Sequence, residues 1–235
     1  MKREYGVIKA RFSLFHAAQI LTRKTVVICV LVCYIEIEKQ DKEIRFIMKY
    51  ILIAGIDGVG KTSLIGVLKG FEFISDDVYD DRNENSTKIS YCLENNLTFT
   101  QETTLAGHRI EKTIRQARQQ GYDVVMFYVG LNSAEESVLR IANRVRKGGH
   151  DIPEEYVRLR YQNRIESLKR VLPLCDEVVF YDNENGFVKV AEIKNNTFYY
   201  TNGYRPDWIQ EVEQCLNYMA FSLSKQERMD RSNNI

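Results

Sequence analysis

Residues 55–62 carry glycines, a lysine and a threonine at the spacing that a phosphate-binding loop needs. They read GIDGVGKT, which matches G-x-x-x-x-G-K-[ST] between a predicted strand and a predicted helix. In such a loop, backbone N–H groups surround the β-phosphate, the lysine bridges the β- and γ-phosphates, and the threonine hydroxyl binds Mg²⁺. The sequence therefore predicts a site for ATP and Mg²⁺, formed by Gly55, Ile56, Asp57, Gly58, Val59, Gly60, Lys61, Thr62 and Ser63, with Thr62 as the metal ligand.

Motifs that mark other nucleotide-binding classes are missing from the sequence. It contains no N-K-x-D motif for guanine recognition, which argues against a GTPase switch. It contains no L-S-G-G-Q-like signature, which argues against an ABC transporter ATPase. A small-molecule kinase instead needs an acid near the acceptor hydroxyl, an acceptor pocket, and arginines that neutralise the transferred phosphoryl group.

Two segments place acids and hydroxyls after predicted strands. Asp76 and Asp77 follow the second strand, and Glu102 and Thr104 leave the end of the third. Carboxyl ends of parallel strands share an edge with the phosphate loop, so these groups are candidates for a base and for acceptor contacts. An acid beside neutral donors suits a polyhydroxyl or amide-bearing acceptor better than a second phosphate. Helix capping or solvation of a loop is the alternative interpretation of the two aspartates.

Basic residues bracket a Gly148-Gly149-His150 loop. Two pairs of them are four residues apart and are predicted to share a helix face. The stretch 147–153 holds the only Gly pair of the chain, and we interpret it as a hinge or lid loop. A solvated face or an RNA-binding patch is the alternative. The cluster comprises Arg140, Arg144, Arg146, Lys147, Arg158, Arg160 and Arg164.

Several of these strings resemble the zeta-toxin family of P-loop kinases, specifically its short chromosomal branch. They are FISDD at 73–77, FTQETTLAG at 99–107 and RIANRVRKGGHDIPE at 140–154, followed by Arg160-Tyr161, within about Met48 to Asp182. The resemblance implies a P-loop kinase that phosphorylates a sugar hydroxyl of UDP-N-acetylglucosamine with ATP and Mg²⁺. It also leaves room for an antitoxin protein as a partner.

The resemblance assigns roles to individual residues. It makes Asp77 the catalytic base, Glu102 and Thr104 acceptor contacts, and Arg144 a phosphate-binding lid arginine that acts with Lys61. The second lid arginine falls at Arg158 or Arg160, and Arg160 is preferred because it precedes Tyr161, as in the branch pattern.

Two departures keep alternatives open. The family usually reads F-[IV]-N-A-D-E where this chain has Ser75-Asp76-Asp77, so Asp76 competes for the role of base. The loop GIDGVGKT also resembles that of thymidylate kinase, although that enzyme's D-R-[YH] segment is not recognisable here. A nucleoside monophosphate kinase is therefore the second interpretation, and a catalytically inactive nucleotide-binding regulator is the third.

The alternation of apolar and amphipathic segments predicts the elements that must position these residues. It indicates a doubly wound, mostly parallel α/β sheet with helices on both faces and a helical lid. The predicted strands are 50–54, 71–75, 97–101, 122–129, 176–182 and a hairpin partner at 187–193. The predicted helices are 61–69, 86–95, 108–120, 133–147, 153–172 and a last one from Pro206 onward.

Composition limits the class of protein. The 235 residues carry a net charge of +1, so no global field favours nucleic acid or a membrane surface. Five scattered cysteines without a C-x-x-C pair, and three histidines none of which are four apart, predict a cytoplasmic protein without a His or Cys metal centre. We expect residues 48–235 to form the kinase domain, with the zeta-toxin-like core at about 48–182 and a C-terminal hairpin and helix at 183–235. We interpret residues 1–47 as an extension that an overlong start assignment would explain. The apolar run at 25–35 is too short for a membrane span and is predicted as a strand.

Overall fold

A computed structural model describes residues 39–40, 43–44, 48–65, 72–75 and 82–217. Strands β1 (Lys39–Gln40) and β2 (Glu43–Ile44) pair antiparallel and belong to a unit of their own, separate from the unit that contains residues 48–64, 72–75 and 82–217. The strand predicted at 25–35 lies outside the described residues. The division at Met48 stays a prediction. No helix among the described residues is long and apolar enough to cross a membrane.

A seven-stranded sheet forms the centre of the larger unit. Its order is β4-β5-β3-β6-β7-β8-β9. The strands from β4 to β7 are parallel, whereas β8 and β9 are antiparallel. The bounds are β3 Lys49–Ala54, β4 Glu72–Ser75, β5 Phe99–Thr103, β6 Asp123–Gly130, β7 Glu177–Asp182, β8 Val188–Lys194 and β9 Thr197–Tyr200. The predicted doubly wound α/β architecture is thereby confirmed.

Helices connect the parallel strands. Helix α4 begins after Ser133, whose side-chain oxygen accepts a hydrogen bond from the Glu136 N–H at 3.2 Å, as the capping sequence predicts. The bounds are α1 Lys61–Ile65, α2 Arg82–Glu94, α3 Arg109–Gln119, α4 Ala134–Arg146, α5 Glu154–Gln162, α6 Arg164–Val171, a 3₁₀ turn at Leu172–Leu174, and α7 at 207–217.

The single helix predicted at 153–172 is wrong. The chain turns at Asn163, so that α5 and α6 are separate helices. Asparagine competes with the backbone for hydrogen bonds and is a weak helix former, and α5 packs against α4 whereas α6 packs against α3. Because the two halves of the predicted helix pack against different neighbours, the chain must turn between them.

Two other boundaries and one additional strand also differ from the prediction. The third parallel strand begins at Phe99 instead of Leu97, because Leu97 is partly exposed and the ring of Phe99 stacks on Tyr50 with centroids 4.5 Å apart. Helix α2 begins at Arg82 instead of Ser86. Strand β9 follows a tight turn at Asn195 and Asn196, both of which have positive φ, and was not predicted at all.

The strands that carry the site are buried on both faces. In β3 and β6, every residue after the first is buried, as expected for parallel strands covered by helices on each side. In the sheet, β3 lies between β5 and β6. Loops after these strands therefore meet at one edge, where ligands bind in sheets of this kind.

Helix α7 is anchored to the same edge of the sheet. The Trp208 Nε1–H donates to Asp182 Oδ1 at 2.9 Å, and both residues are buried. Gly130, the last residue of β6, lies directly against the indole ring, because a Cβ atom there would be 2.4 Å from Trp208 Cε2. The C-terminal helix thus closes the ends of β6 and β7.

Candidate active site

The predicted phosphate loop lies between β3 and α1, and its glycines are required by close packing. A Cβ atom on Gly55 would lie 2.4 Å from the Val129 carbonyl oxygen of the neighbouring strand. Gly60 has a φ of +95°, and a Cβ atom there would lie 2.7 Å from Asn183 Nδ2. Side chains at these positions would push the loop away from the sheet, so the backbone N–H groups keep their cradle only with glycine. This cradle fits the phosphates of a nucleotide.

Glu102 contacts both Lys61 and Thr62 of this loop. Lys61 Nζ donates to the Ile56 carbonyl oxygen at 3.0 Å and lies 3.9 Å from Glu102 Oε1. The Thr62 hydroxyl donates to Glu102 Oε2 at 3.3 Å. The residues Lys61 and Glu102 are only 6% and 8% exposed, so the two charges interact in a region of low water content. A hydroxyl and a carboxylate are the hard oxygen donors that Mg²⁺ prefers, and this pair fits such an ion.

Glu102 reaches this position because of strand register. It is the fourth residue of β5 and pairs with Ile53 of β3 on one side and with Ser75 of β4 on the other. The chain therefore leaves β4 beside Glu102. Asp76 and Asp77, the two candidates for the base, lie outside the described residues.

The structure separates the two candidates for the second lid arginine. Arg160 Nη1 lies 2.7 Å from Oδ2 of Asp57 in the phosphate loop, and the Asp57 side chain is 2% exposed. Arg158 instead points to the surface, where it pairs with Glu135 and Glu154 at 2.5 and 2.7 Å. Its hydrogen bond holds the pKa of Glu135 below the ordinary value. Arg160 is thus the one of the two that contacts the phosphate loop.

Arg144 lies at the other end of the proposed lid. Its Nε donates to the His150 carbonyl oxygen at 2.9 Å, and its own carbonyl oxygen accepts from the Gly149 N–H at 2.9 Å. Gly149 packs so closely that a Cβ atom would lie 2.5 Å from Arg144 Cγ. Arg144 therefore shapes the Gly148–His150 turn, and no contact from it to the phosphate loop is seen among the described residues.

A cavity of about 320 Å³ opens between the loop after β5 and helices α5 and α6. Thr104 and Arg160 both line it, so a predicted acceptor contact and a predicted phosphate-binding arginine share one space. The remaining lining residues are Ala106, Gly107, His108, Tyr156, Leu159, Asn163, Ser167 and Arg170.

Arg170 was missed by sequence reasoning, and it fixes one wall of this cavity. It donates to the carbonyl oxygens of Leu105 and Gly107 at 3.3 and 3.1 Å and pairs with Glu111 at 2.7 Å. That hydrogen bond holds the pKa of Glu111 below its ordinary value. In the sequence Arg170 is one more basic residue on a polar helix, and nothing marks it as a loop anchor.

Asn183 was also missed, since the sequence marks it only as part of a turn. Its Nδ2 donates to the Val59 carbonyl oxygen at 2.8 Å, which ties the loop after β7 to the phosphate loop. Arg140, predicted as part of the basic cluster, donates to the carbonyl oxygens of Asn183 and Glu184 at 2.7 and 3.0 Å. Arg140 therefore supports the turn that supports the phosphate loop.

Comparison with known proteins identifies the region that carries the predicted acceptor contacts and lid arginines. Residues 86–196 match the sequence model of the zeta toxin family. This segment is a zeta toxin domain. It includes Glu102, Thr104, Arg144 and Arg160, whereas the phosphate loop precedes it. The family resemblance drawn from the sequence motifs is confirmed.

Individual relatives are distant or short. An uncharacterised protein of Haemophilus influenzae is 35% identical over 71 residues, which are 30% of this chain and 51% of that protein. The chain thus spans about half the length of this curated relative.

One solved structure shares the fold, and a second is similar to a lesser degree. A chain in the crystal structure of the AvrRxo1-ORF1:-ORF2 complex has a TM-score of 0.50 at 16% identity, with 73% of this chain and 64% of that chain covered. A chain from the PezAT chromosomal toxin–antitoxin system of Streptococcus pneumoniae has a TM-score of 0.49 at 14% identity, with 87% and 98% covered. The zeta toxin domain lies within an α/β P-loop kinase fold.

Proposed function

We propose that this protein is an ATP-dependent phosphotransferase that moves the γ-phosphoryl group to a hydroxyl of a nucleotide sugar, with UDP-N-acetylglucosamine as the first candidate. The observation that supports the proposal is the contact of Glu102, on the acceptor side, with both Lys61 and Thr62 of the phosphate loop. The phosphate loop and the strand that would carry the acceptor contact meet at these atoms. The zeta toxin domain and the fold support the same reaction class.

The phosphate loop from Gly55 to Ser63 would bind ATP. On nucleotide binding, Lys61 would exchange its contact with the Ile56 carbonyl for the β- and γ-phosphates. Thr62, and Glu102 beside it, would hold Mg²⁺, which when bound neutralises charge on the phosphate oxygens.

Asp77 is proposed as the base, with Asp76 as its competitor. In the transfer, the bond between the γ-phosphorus and the β,γ-bridging oxygen breaks, and a bond between that phosphorus and the acceptor oxygen forms. The acceptor's proton goes to the aspartate, and ADP leaves. The register of Ser75 with Glu102 supports an acid in this region, because the chain leaves β4 next to the Lys61–Glu102 pair.

The acceptor would occupy the cavity between the loop after β5 and helices α5 and α6. Glu102 and Thr104 would contact its hydroxyl or amide groups, and Arg160 and Arg144 would bind phosphoryl oxygens. Support for Arg160 comes from its contact with Asp57 and from its place in the cavity wall. The role of Arg144 rests on the family resemblance.

A mass-spectrometric assay tests the proposal. Purified protein with ATP and Mg²⁺ is offered UDP-N-acetylglucosamine, other UDP-sugars, nucleoside monophosphates and simple sugars. We expect a product 80 Da heavier from a nucleotide sugar (the mass of one phosphoryl group added in place of a proton). A phosphorylated nucleoside monophosphate would favour the thymidylate-like alternative, and ATP binding with no product would favour the inactive regulator.

Two variants make the assay specific. Lys61→Ala should lower turnover by orders of magnitude while the fold survives, since the residue acts on charge that develops during transfer. Lys112→Ala, on the exposed face of α3, is the matched control and should keep wild-type turnover. Unchanged turnover in Lys61→Ala would rule out the kinase proposal.

A cytoplasmic location and an antitoxin partner belong to the same proposal. Among the described residues Cys175 is a thiol outside any disulfide, which suits a reducing compartment. An antitoxin could act by covering the nucleotide site from outside, and addition of a candidate protein to the assay would test that directly.

A further inference from the structure

We infer that Asp57, an acid inside the phosphate loop, is a positioning residue that holds Arg160 over the site of phosphoryl transfer. The inference rests on the proposed function and adds a role that the phosphate-loop pattern does not contain, because that pattern leaves position 57 unspecified. Its basis is one contact between residues 103 positions apart in the chain.

The geometry of the pair is that of a strong, directed interaction. Asp57 Oδ2 and Arg160 Nη1 are 2.7 Å apart, the distance of a charge-assisted hydrogen bond. The side chains are 2% and 19% exposed, respectively. Water screens such a pair poorly, so the contact fixes the guanidinium group far better than a surface ion pair would.

A carboxylate in this loop needs a physical reason. The phosphates of ATP carry several negative charges, and an unpaired acid in the loop that binds them would repel them. Pairing with Arg160 removes that repulsion. A guanidinium group carries five N–H donors, so the bond to Asp57 through Nη1 leaves donors that can face a phosphoryl oxygen.

The position of Arg160 in the fold gives the contact its consequence. Arg160 lies in the last turn of α5 and lines the cavity proposed for the acceptor. Asp57 therefore connects the donor loop to the helix that carries the acceptor wall. The pair holds the guanidinium group between the two substrates, where the phosphoryl group is transferred.

The neighbouring arginine of the same helix provides a matched control. Arg158 also bonds to a distant carboxylate, Glu135, at 2.5 Å, but these side chains are 41% and 64% exposed. Glu135→Gln removes an ion pair of the same type from the same helix without touching the phosphate loop. A general loosening of α5 would follow from either change, whereas a specific effect on transfer follows only from the loss of Asp57.

A double-mutant cycle of Asp57→Asn and Arg160→Ala tests the inference in the full-length chain. Turnover number and ATP affinity are measured separately for each variant. We expect Arg160→Ala to lower kcat about 1,000-fold or more, as for other arginines that act on the transferred group. Asp57→Asn should lower kcat up to about 100-fold, because it misplaces that arginine, and should change ATP affinity little.

The decisive result is that the effects of Asp57→Asn depend on whether Arg160 is present. In the Arg160→Ala protein Asp57 is left unpaired, so adding Asp57→Asn there should tighten ATP binding and should lower kcat no further. Glu135→Gln should match the wild type in both quantities. If Asp57→Asn lowers kcat by the same factor with and without Arg160, Asp57 acts independently of Arg160 and the inference is wrong.

Hydrogen exchange of the ATP-free protein separates this inference from the proposed reaction. Asp57→Asn and Arg160→Ala should each raise exchange at the amides of residues 154–162, and the double variant should show no further rise. This readout does not require turnover. Coupled exchange in a protein without kinase activity would refute the proposed function but support the Asp57–Arg160 contact. Unchanged exchange in both single variants would refute the contact itself.

Discussion

Glu102→Gln should destabilise the nucleotide-free protein and should do so less when ATP is bound. The carboxylate lies 3.9 Å from the Lys61 ammonium, which corresponds to about 4 kcal/mol of attraction at an effective dielectric constant of about 20. Desolvation of the two buried groups offsets much of that attraction, and glutamine keeps an oxygen for Thr62. We therefore expect the free energy of unfolding to fall by about 1–3 kcal/mol, since the buried Lys61 ammonium loses its attraction to this carboxylate.

Urea denaturation with and without saturating ATP, in the absence of Mg²⁺, measures the effect. Because the phosphates would take over as the counter-charge of Lys61, ATP should stabilise Glu102→Gln by more than it stabilises the wild type. Glu154→Gln, which removes an exposed carboxylate paired with Arg158, is the control and should change stability by less than about 1 kcal/mol. A variant Glu102→Gln as stable as the wild type without ATP would show that the Lys61–Glu102 pair contributes no net stability and would refute the reasoning.

Three further changes follow from contacts in the same unit. Gly60→Ala should weaken ATP binding at least 10-fold in a nucleotide-titration assay, because the φ of +95° and the contact with Asn183 Nδ2 both oppose a Cβ atom, and wild-type affinity would contradict this account. Phe127→Ala should lower the free energy of unfolding by about 3–5 kcal/mol in urea, since the ring is fully buried in β6, and a loss below about 1 kcal/mol would mean that the core closes around the cavity. The folded-state pKa of Glu111 is lowered, chiefly by the hydrogen bond from Arg170, so its contribution to stability is present above the pKa of the unfolded chain and is lost as the pH falls through the lowered pKa. Urea denaturation from pH 7 to pH 3 should therefore show Glu111→Gln less stable than the wild type at neutral pH and equal to it at acid pH, whereas a difference independent of pH would exclude this ionisation as the cause.

The sequence predicted the phosphate loop and its flanking elements because their signals are local. Glycine spacing, a buried apolar run and a following lysine are all contained within about a dozen residues around Gly55. The capping of α4 by Ser133 is local in the same sense. Such features depend on backbone conformations that each short segment adopts largely by itself.

The missed features depend on partners that are distant in sequence. Asn183 looks like any turn residue until the fold brings Val59 beside it, and Arg170 looks like a solvated base until the loop at 105–107 packs on it. The turn at Asn163 is invisible for the same reason, since it follows from the different neighbours of α5 and α6. Arg160 could be preferred over Arg158 only by resemblance, whereas its contact with Asp57 supplies a physical reason.

The anchoring of Trp208 bears on when the protein becomes able to bind nucleotide during its synthesis. Asp182, which accepts the hydrogen bond from the indole N–H, directly precedes Asn183, which donates to the Val59 carbonyl oxygen. The residue that receives the C-terminal helix and the residue that braces the phosphate loop are thus adjacent. A nascent chain still lacking residue 208 has no indole N–H to donate to Asp182, next to the residue that contacts the phosphate loop. We expect a ribosome-bound chain to bind nucleotide weakly until residue 208 has emerged and α7 has packed on the ends of β6 and β7.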